Sequence, residues 1–165
     1  MLGVKKLIPG KSWKARPSYA PGLLIGLTLL IAVTANAIPR EDPSVQELKA
    51  RLSSTSVGDR PHLCLQIAQL QLGESDKLYA AADVEKAQAA LTDVVAYSEL
   101  ARDYAIQSHK YQKQTEIAAR SMTRKLTDIV HSLAHEDQGP VRDAINRLER
   151  VRDDLLASMF KKGGK

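Results

Sequence analysis

The sequence predicts an all-α protein preceded by a signal peptide or an N-terminal membrane anchor. Two observations predict this class: an apolar run close to the N-terminus, and apolar residues that recur at helical spacing through the rest of the 165-residue chain. A third is that Cys64 is the only cysteine, so no internal disulfide can form and helix packing must hold the fold. We expect antiparallel helical hairpins or a bundle built around one long amphipathic helix, at about residues 83–135.

Residues 1–37 are expected to direct export. Their apolar run, residues 23–33, is 11 residues long, whereas a bilayer takes ~20 helical residues. Ala35 and Ala37 provide the small residues that signal peptidase accepts, so we expect cleavage after Ala37. The alternative is an uncleaved anchor at residues 21–38. Either way the body lies outside the cytoplasm: periplasmic or secreted after cleavage, otherwise anchored in the inner membrane and facing outward.

The net charge of +5 belongs to this N-terminal segment. Residues 1–37 hold five of the 24 Lys and Arg residues and none of the 19 acids, so 19 basic and 19 acidic residues remain from Ile38 onward. A neutral body lacks the basic face that binding to phosphates requires. We therefore expect no nucleic-acid partner.

The next two segments are a tether with a short helix, at residues 38–60, and the start of the helical domain, at residues 61–160. Ser44 and Glu47 have the spacing of a capping box, which predicts that a short helix begins there. A second helix is expected over residues 61–81. Gly73 costs this helix about 1 kcal/mol relative to Ala, but we expect it to continue.

A seven-residue repeat runs from Asp83 to about His135 with no proline or glycine, which predicts one long helix. One row holds Val84, Leu91, Ser98, Ala105, Gln112, Ala119, Leu126 and Leu133, and its partner row holds Ala87, Val94, Ala101, Ser108, Thr115, Met122 and Ile129. The middle of this seam, residues 107–114, is polar. It is an exposed rod, a hinge that closes the two ends into a compact bundle, or a surface completed by another chain.

The last helix is expected at residues 141–160, with Pro140 in its first turn, where a missing amide hydrogen costs nothing. A flexible basic tail follows at residues 161–165. The basic residues of these helices alternate with acids, and i,i+4 pairs such as Glu116 with Arg120 are typical of solvated helix faces.

The polar middle of the long helix supplies the candidate interaction surface: Tyr104, His109, Tyr111 and Gln112. Tyr104 and Tyr111 belong with Tyr97 to a stripe at heptad spacing, which could grip a partner or could simply widen the core-facing surface. The occupant would be a protein partner or a second copy of the chain, bound through the helices.

A metal site is the alternative hypothesis. His131 and His135 have the i,i+4 spacing that lets two imidazoles share a metal, and Glu136 is adjacent. The HExxH order is absent. A periplasmic metal or stress-responsive binding protein would use these residues; otherwise they are polar residues near a helix C-terminus, where a charged imidazole is favoured.

The sequence lacks the motifs of several enzyme classes. It has no glycine-rich phosphate loop, no G-x-S-x-G turn, no CxxCH haem attachment and no CxxC redox pair. We therefore expect no enzyme activity and no cofactor. The leading interpretation is an extracytoplasmic, non-catalytic helical module for protein interaction or structure.

The first testable prediction concerns processing. The protein isolated from cells should have the intact mass of residues 38–165, because signal peptidase cleaves after small residues such as Ala37. Intact mass spectrometry measures this directly. A mass that retains residues 1–37 would instead favour the uncleaved anchor.

Overall fold

The computed structural model describes residues 43–161, and the all-helical class is confirmed there: five α-helices and one short 3-10 helix are present, without a strand. The α-helices are α1 Val45–Ser54, α2 Arg60–Ala80, α3 Val84–Ser108, α4 Gln112–Ser132 and α5 Gln138–Lys161, and the 3-10 helix is His135–Asp137. The expected cleavage site at Ala35 and Ala37, the alternative anchor and residues 162–165 lie outside the described residues. Within residues 43–161, no helix is both long enough and apolar enough to cross a membrane.

Local signals explain where α1 and α2 begin. The capping box is confirmed, because Glu47 N–H donates to Ser44 Oγ at 3.2 Å and Ser44 N–H donates to Glu47 Oε2 at 2.9 Å. Helix α2 has Pro61 in its first turn and continues through Gly73, as expected. A Cβ added at Gly73 would meet nothing within 4 Å, so this glycine faces open space.

The turn between α2 and α3 is built from local hydrogen bonds. Ala82 adopts a left-handed conformation with φ of 59°. Asp83 N–H donates to the carbonyl of Leu78 at 2.9 Å, and the Asp83 side chain caps α3 by accepting from Lys86 N–H. The two helices then run antiparallel, since Ser75 Oγ near the turn donates to the carbonyl of Ala87 at 3.0 Å.

The expectation of one helix over residues 83–135 is wrong, because the chain reverses between Ser108 and Gln112. His109 and Tyr111 adopt left-handed conformations with φ of 57° and 60°. The reversal folds α4 back along α2 and lets the apolar rows of α3 and α4 share one core. Residues 107–114 therefore contain a reversal, and a straight rod is not the arrangement in the structure.

The core joins α2, α3, α4 and α5 into one cluster. Its largest fully buried members include Val94, Leu126, Val141 and Leu148. Helices α4 and α5 run antiparallel, since Gln112 and Glu116 contact Ser158 and Arg152 in reverse order. Helix α1 packs on α2 in a smaller cluster of Leu48, Leu63 and Ile67.

Two further pairs of helices lie side by side and run in the same direction. His62 stacks on Tyr111 at one end of α2 and α4, and Asp76 pairs with Lys125 at the other. In the same way Glu99 and Arg102 of α3 contact Arg147 and Asp154 of α5. The result is a bundle-like arrangement in which two antiparallel hairpins pack against each other.

The second prediction tests this core. Leu126→Ala should lower the free energy of unfolding by about 2–5 kcal/mol, because the side chain is fully buried and its removal leaves a cavity. Leu100→Ala is the matched control, since this leucine is 38% exposed, and it should cost less than about 1 kcal/mol. Urea unfolding measures both, and equal losses would show that Leu126 is not a core residue.

Candidate functional site

The tyrosine stripe is covered by the chain itself. Lys49 Nζ lies 5.3 Å from the ring centroid of Tyr97, and Arg60 Cζ lies 5.2 Å from that of Tyr104. The third tyrosine, Tyr111, stacks on the His62 ring with the centroids 5.9 Å apart and the ring planes 24° apart. Each tyrosine therefore has a cationic or aromatic neighbour from α1 or from the start of α2.

The four candidate interaction residues do not share one open surface. Tyr104 and Tyr111 contact α2, whereas Gln112 turns the other way and donates from Nε2 to Ser158 Oγ of α5 at 3.0 Å. His109 is exposed in the reversal between the helices. The structure thus places these residues around the junction of α3 and α4, where three of them hold neighbouring helices in place.

A more open feature is the groove between α2 and α4, which has a volume of about 390 Å³. None of its lining residues is Lys, Arg, Asp or Glu. Buried Leu65 and Ala118 form its floor, and Ile117 is 51% exposed at its edge. The lining residues are His62, Leu65, Gln66, Gln69, Gln114, Ile117, Ala118 and Ser121. We call this feature the α2–α4 groove.

A second uncharged depression adjoins this groove. Gln66 and Gln69 also line a space of about 260 Å³ between α1 and α2, together with Pro43, Leu48 and Leu70. Leu70 is an apolar residue of α2 whose side chain is 37% exposed. The exposed face of α2 therefore combines glutamine amides with an accessible leucine and carries no charge between residues 61 and 73.

The α3 and α5 side of the molecule has the opposite character. Arg147 donates to both carboxylate oxygens of Glu99, at 3.0 and 2.9 Å, rather than pairing with Asp143 as its own helix would allow. Arg102 donates to Asp154 at 3.0 Å and also to the neighbouring Asp103. Charged groups thus cross-link this face, while the α2–α4 groove is free of them.

Sequence reasoning missed the groove residues, although one signal for them is present. Residues 61–73 contain no charged side chain, in a chain of which 26% of residues are charged. Glutamines at positions 66 and 69 break the apolar pattern without adding charge, so a periodicity argument passes over them. Ile117 lies outside both heptad rows, and its one signal in the sequence is that an apolar residue occurs on a polar helix face.

The residues of the metal hypothesis are no longer on one helix. Helix α4 ends at Ser132, so His131 is in its last turn, whereas His135 and Glu136 belong to the 3-10 helix that follows. All three are exposed. The helical spacing that suggested a shared metal is therefore absent, and residues 43–161 contain no group of three or more potential His, Cys, Asp or Glu ligands.

Three ionisable side chains among residues 43–161 are buried: Cys64, Tyr79 and Glu116. Glu116, expected on a solvated face, is 5% exposed and accepts hydrogen bonds from Arg120 and Arg152 at the same oxygen, Oε1. The hydrogen bond from Arg120, aided by Arg152, lowers the pKa of Glu116 against the opposing effect of burial. Burial raises the pKa of the Cys64 thiol to about 11, which disfavours the reactive thiolate.

Comparison of the chain with protein-family models, with curated proteins and with solved structures found no match.

The third prediction concerns Glu116 and pH. Its pKa is lower in the folded chain than the value of about 4.3 for an unfolded one. Its charge therefore stabilises the fold above that value, and this contribution is lost as the pH falls through the folded pKa. Glu116→Gln should cost about 1–3 kcal/mol at neutral pH, because Arg120 and Arg152 lose their acceptor.

The measurement is the free energy of unfolding in urea, followed from neutral to acidic pH. Glu116→Gln should lose less stability than the wild type across the acidic range, since it has no carboxylate to protonate. Glu99→Gln is the control, because the Glu99 and Arg147 side chains are partly exposed, and it should cost only about 0–1 kcal/mol. If the free energy of unfolding fell equally with pH in the wild type and in Glu116→Gln, the lowered pKa of Glu116 would be contradicted.

Proposed function

We propose that this chain is a non-catalytic helical module for protein interaction that works outside the cytoplasm. In this proposal α2 to α5 form a bundle of two antiparallel hairpins that presents the α2–α4 groove to a partner. The observation that carries the proposal is the absence of charge from the groove lining, with the exposed Ile117 at its edge. Charged residues are depleted from the centres of protein interfaces in the same way.

The shape of the groove favours a helical segment as the partner. Its lining residues cover about two turns of each helix, from His62 to Gln69 and from Gln114 to Ser121, or ~11 Å of helix length. A partner helix could place apolar residues at i and i+3 or i+4 along this length. Gln66 and Gln69 can both donate and accept hydrogen bonds, which suits a partner with uncharged polar groups at the rim.

The ion pairs between α3 and α5 also favour the α2–α4 groove as the binding surface. Bidentate contacts such as Arg147 with Glu99 stay solvated and hold two helices together. Covering them would require partly exposed charges to lose water, which is costly unless every charge finds a partner. A protein partner therefore gains more from the α2–α4 groove than from the charged side.

The N-terminal segment supports the location. Its basic residues, its apolar run and the small residues Ala35 and Ala37 match the pattern of an export signal. On this proposal the partner is itself an envelope or extracellular protein, and the body is either released after Ala37 or held at the membrane by residues 21–38.

The fourth prediction tests the groove in cells. A photo-crosslinking amino acid at position 117 should give an adduct of one defined mass, because Ile117 is half-exposed at the edge of the groove. The control places the same amino acid at position 100. Leu100 is also a partly exposed apolar residue, but it does not line the groove.

Salt dependence is the second measurement. Contacts between exposed charges weaken as the ionic strength is raised. Since the groove lining carries no charge, the yield of crosslinked adduct at position 117 should hardly change. Equal yields at positions 117 and 100, or a yield at 117 that falls steeply with salt, would count against the α2–α4 groove as the binding surface.

A further inference from the structure

We propose that the chain exchanges hairpins with a second copy of itself, so that α3 and α4 become one continuous helix in a domain-swapped dimer. In the dimer the α2–α3 hairpin of one copy packs against the α4–α5 hairpin of the other. The hinge of this exchange is the junction at residues 109–111, and the exchange needs no partner in the α2–α4 groove.

Helices α3 and α4 share one heptad register. The rows defined by the sequence continue through the junction without a skip, and they are buried on both sides of it. Val94 and Ala101 are buried before the junction, and Thr115, Met122 and Ile129 are buried after it. If residues 109–111 were helical, these side chains would lie on one face of a helix of 49 residues, Val84 to Ser132, about 74 Å long.

The backbone of the junction at residues 109–111 is unfavourable for ending one helix and starting the next. The left-handed conformation suits glycine, yet His109 and Tyr111 adopt it with full side chains. Tyr111 is the N-cap of α4 and makes no capping hydrogen bond with its side chain. A continuous helix would relieve both left-handed residues and pair the amide groups left free at the start of α4.

The two neighbouring connections, α2–α3 and α4–α5, favour helix ends. The α2–α3 turn also has a left-handed residue, Ala82, but Asp83 caps the next helix and its N–H bonds back to Leu78. Between α4 and α5 the chain is extended at Leu133 and Ala134, and Pro140 fits only the first turn of a helix. Local structure thus points to residues 109–111 as the place where the chain opens.

Opening the junction exposes the faces of the two hairpins that pack against each other in the closed chain, and these faces are already complementary. The closed chain is held across the two hairpins by contacts that include Asp76 Oδ2 with Lys125 Nζ at 2.7 Å and Glu99 with Arg147. When the junction straightens, these partners separate within one chain. A second copy opened in the same way restores each contact, so the occupant of the exposed faces is this chain rather than an unrelated partner.

The test uses two double variants that differ only in backbone preference. His109→Ala with Tyr111→Ala, and His109→Gly with Tyr111→Gly, both remove the His62–Tyr111 stack. Alanine favours the helix and resists the left-handed conformation, whereas glycine does the reverse. The alanine variant should dimerise about a thousandfold more tightly than the glycine variant, since four residues change in each dimer.

Analytical ultracentrifugation of the processed protein purified from cells measures this difference. Equal dissociation constants for the alanine and glycine variants, or a dimer that is tighter for glycine, would overturn the proposal.

A second experiment distinguishes exchange from side-by-side association and keeps the wild-type junction. Glu99→Arg and Arg147→Glu each place like charges together, in the closed chain and in its own swapped dimer. In a swapped dimer formed from one copy of each variant, both positions regain opposite charges. Mixing the two after partial unfolding and refolding should therefore give heterodimers, which native mass spectrometry detects, and a mixture that contains only monomers and homodimers would contradict the exchange.

Discussion

The reversal of the chain between Ser108 and Gln112 is the constraint on which the rest of the structure depends. It requires left-handed backbone at His109 and Tyr111, which costs of order 1–3 kcal/mol for each residue. In return α4 lies beside α2, α5 lies beside α3, and the apolar rows of four helices merge into one core. Without the reversal, each hairpin of an isolated chain would have a single layer of helices and would leave its apolar face exposed to water.

The same arrangement divides the surface into two kinds. Where α3 and α5 run together, arginines and carboxylates from both helices bridge the seam, as Arg147 does with Glu99. Where α2 and α4 form the groove, the lining is histidine, glutamine, serine and apolar side chains. The buried Glu116 of α4 pairs with Arg152 of α5, and the ion pair of Lys125 with Asp76 of α2 lies outside the groove lining.

Most of the elements could be predicted from the sequence, because their signals are local. The capping box at Ser44, the continuity of α2 through Gly73 and the proline at the start of α5 each act within one or two helical turns. The division of the long helix could not be predicted, since the residues from His109 to Tyr111 include neither glycine nor proline and the heptad register passes through them. Only tertiary contacts such as the stack on His62 select the reversal. The groove was missed for a related reason: Gln66 and Ile117 are close only after α4 has returned along α2.

The α2–α3 turn has a consequence for the order in which the molecule folds. Its hydrogen bonds join residues no more than five positions apart, such as Asp83 with Leu78. Closing such short loops costs little conformational entropy. Contacts that close short loops form early and raise the rate at which helical proteins reach the native state. We therefore expect the nucleus of folding to lie in the α2–α3 hairpin, with the α4–α5 hairpin docking onto a surface that has already formed.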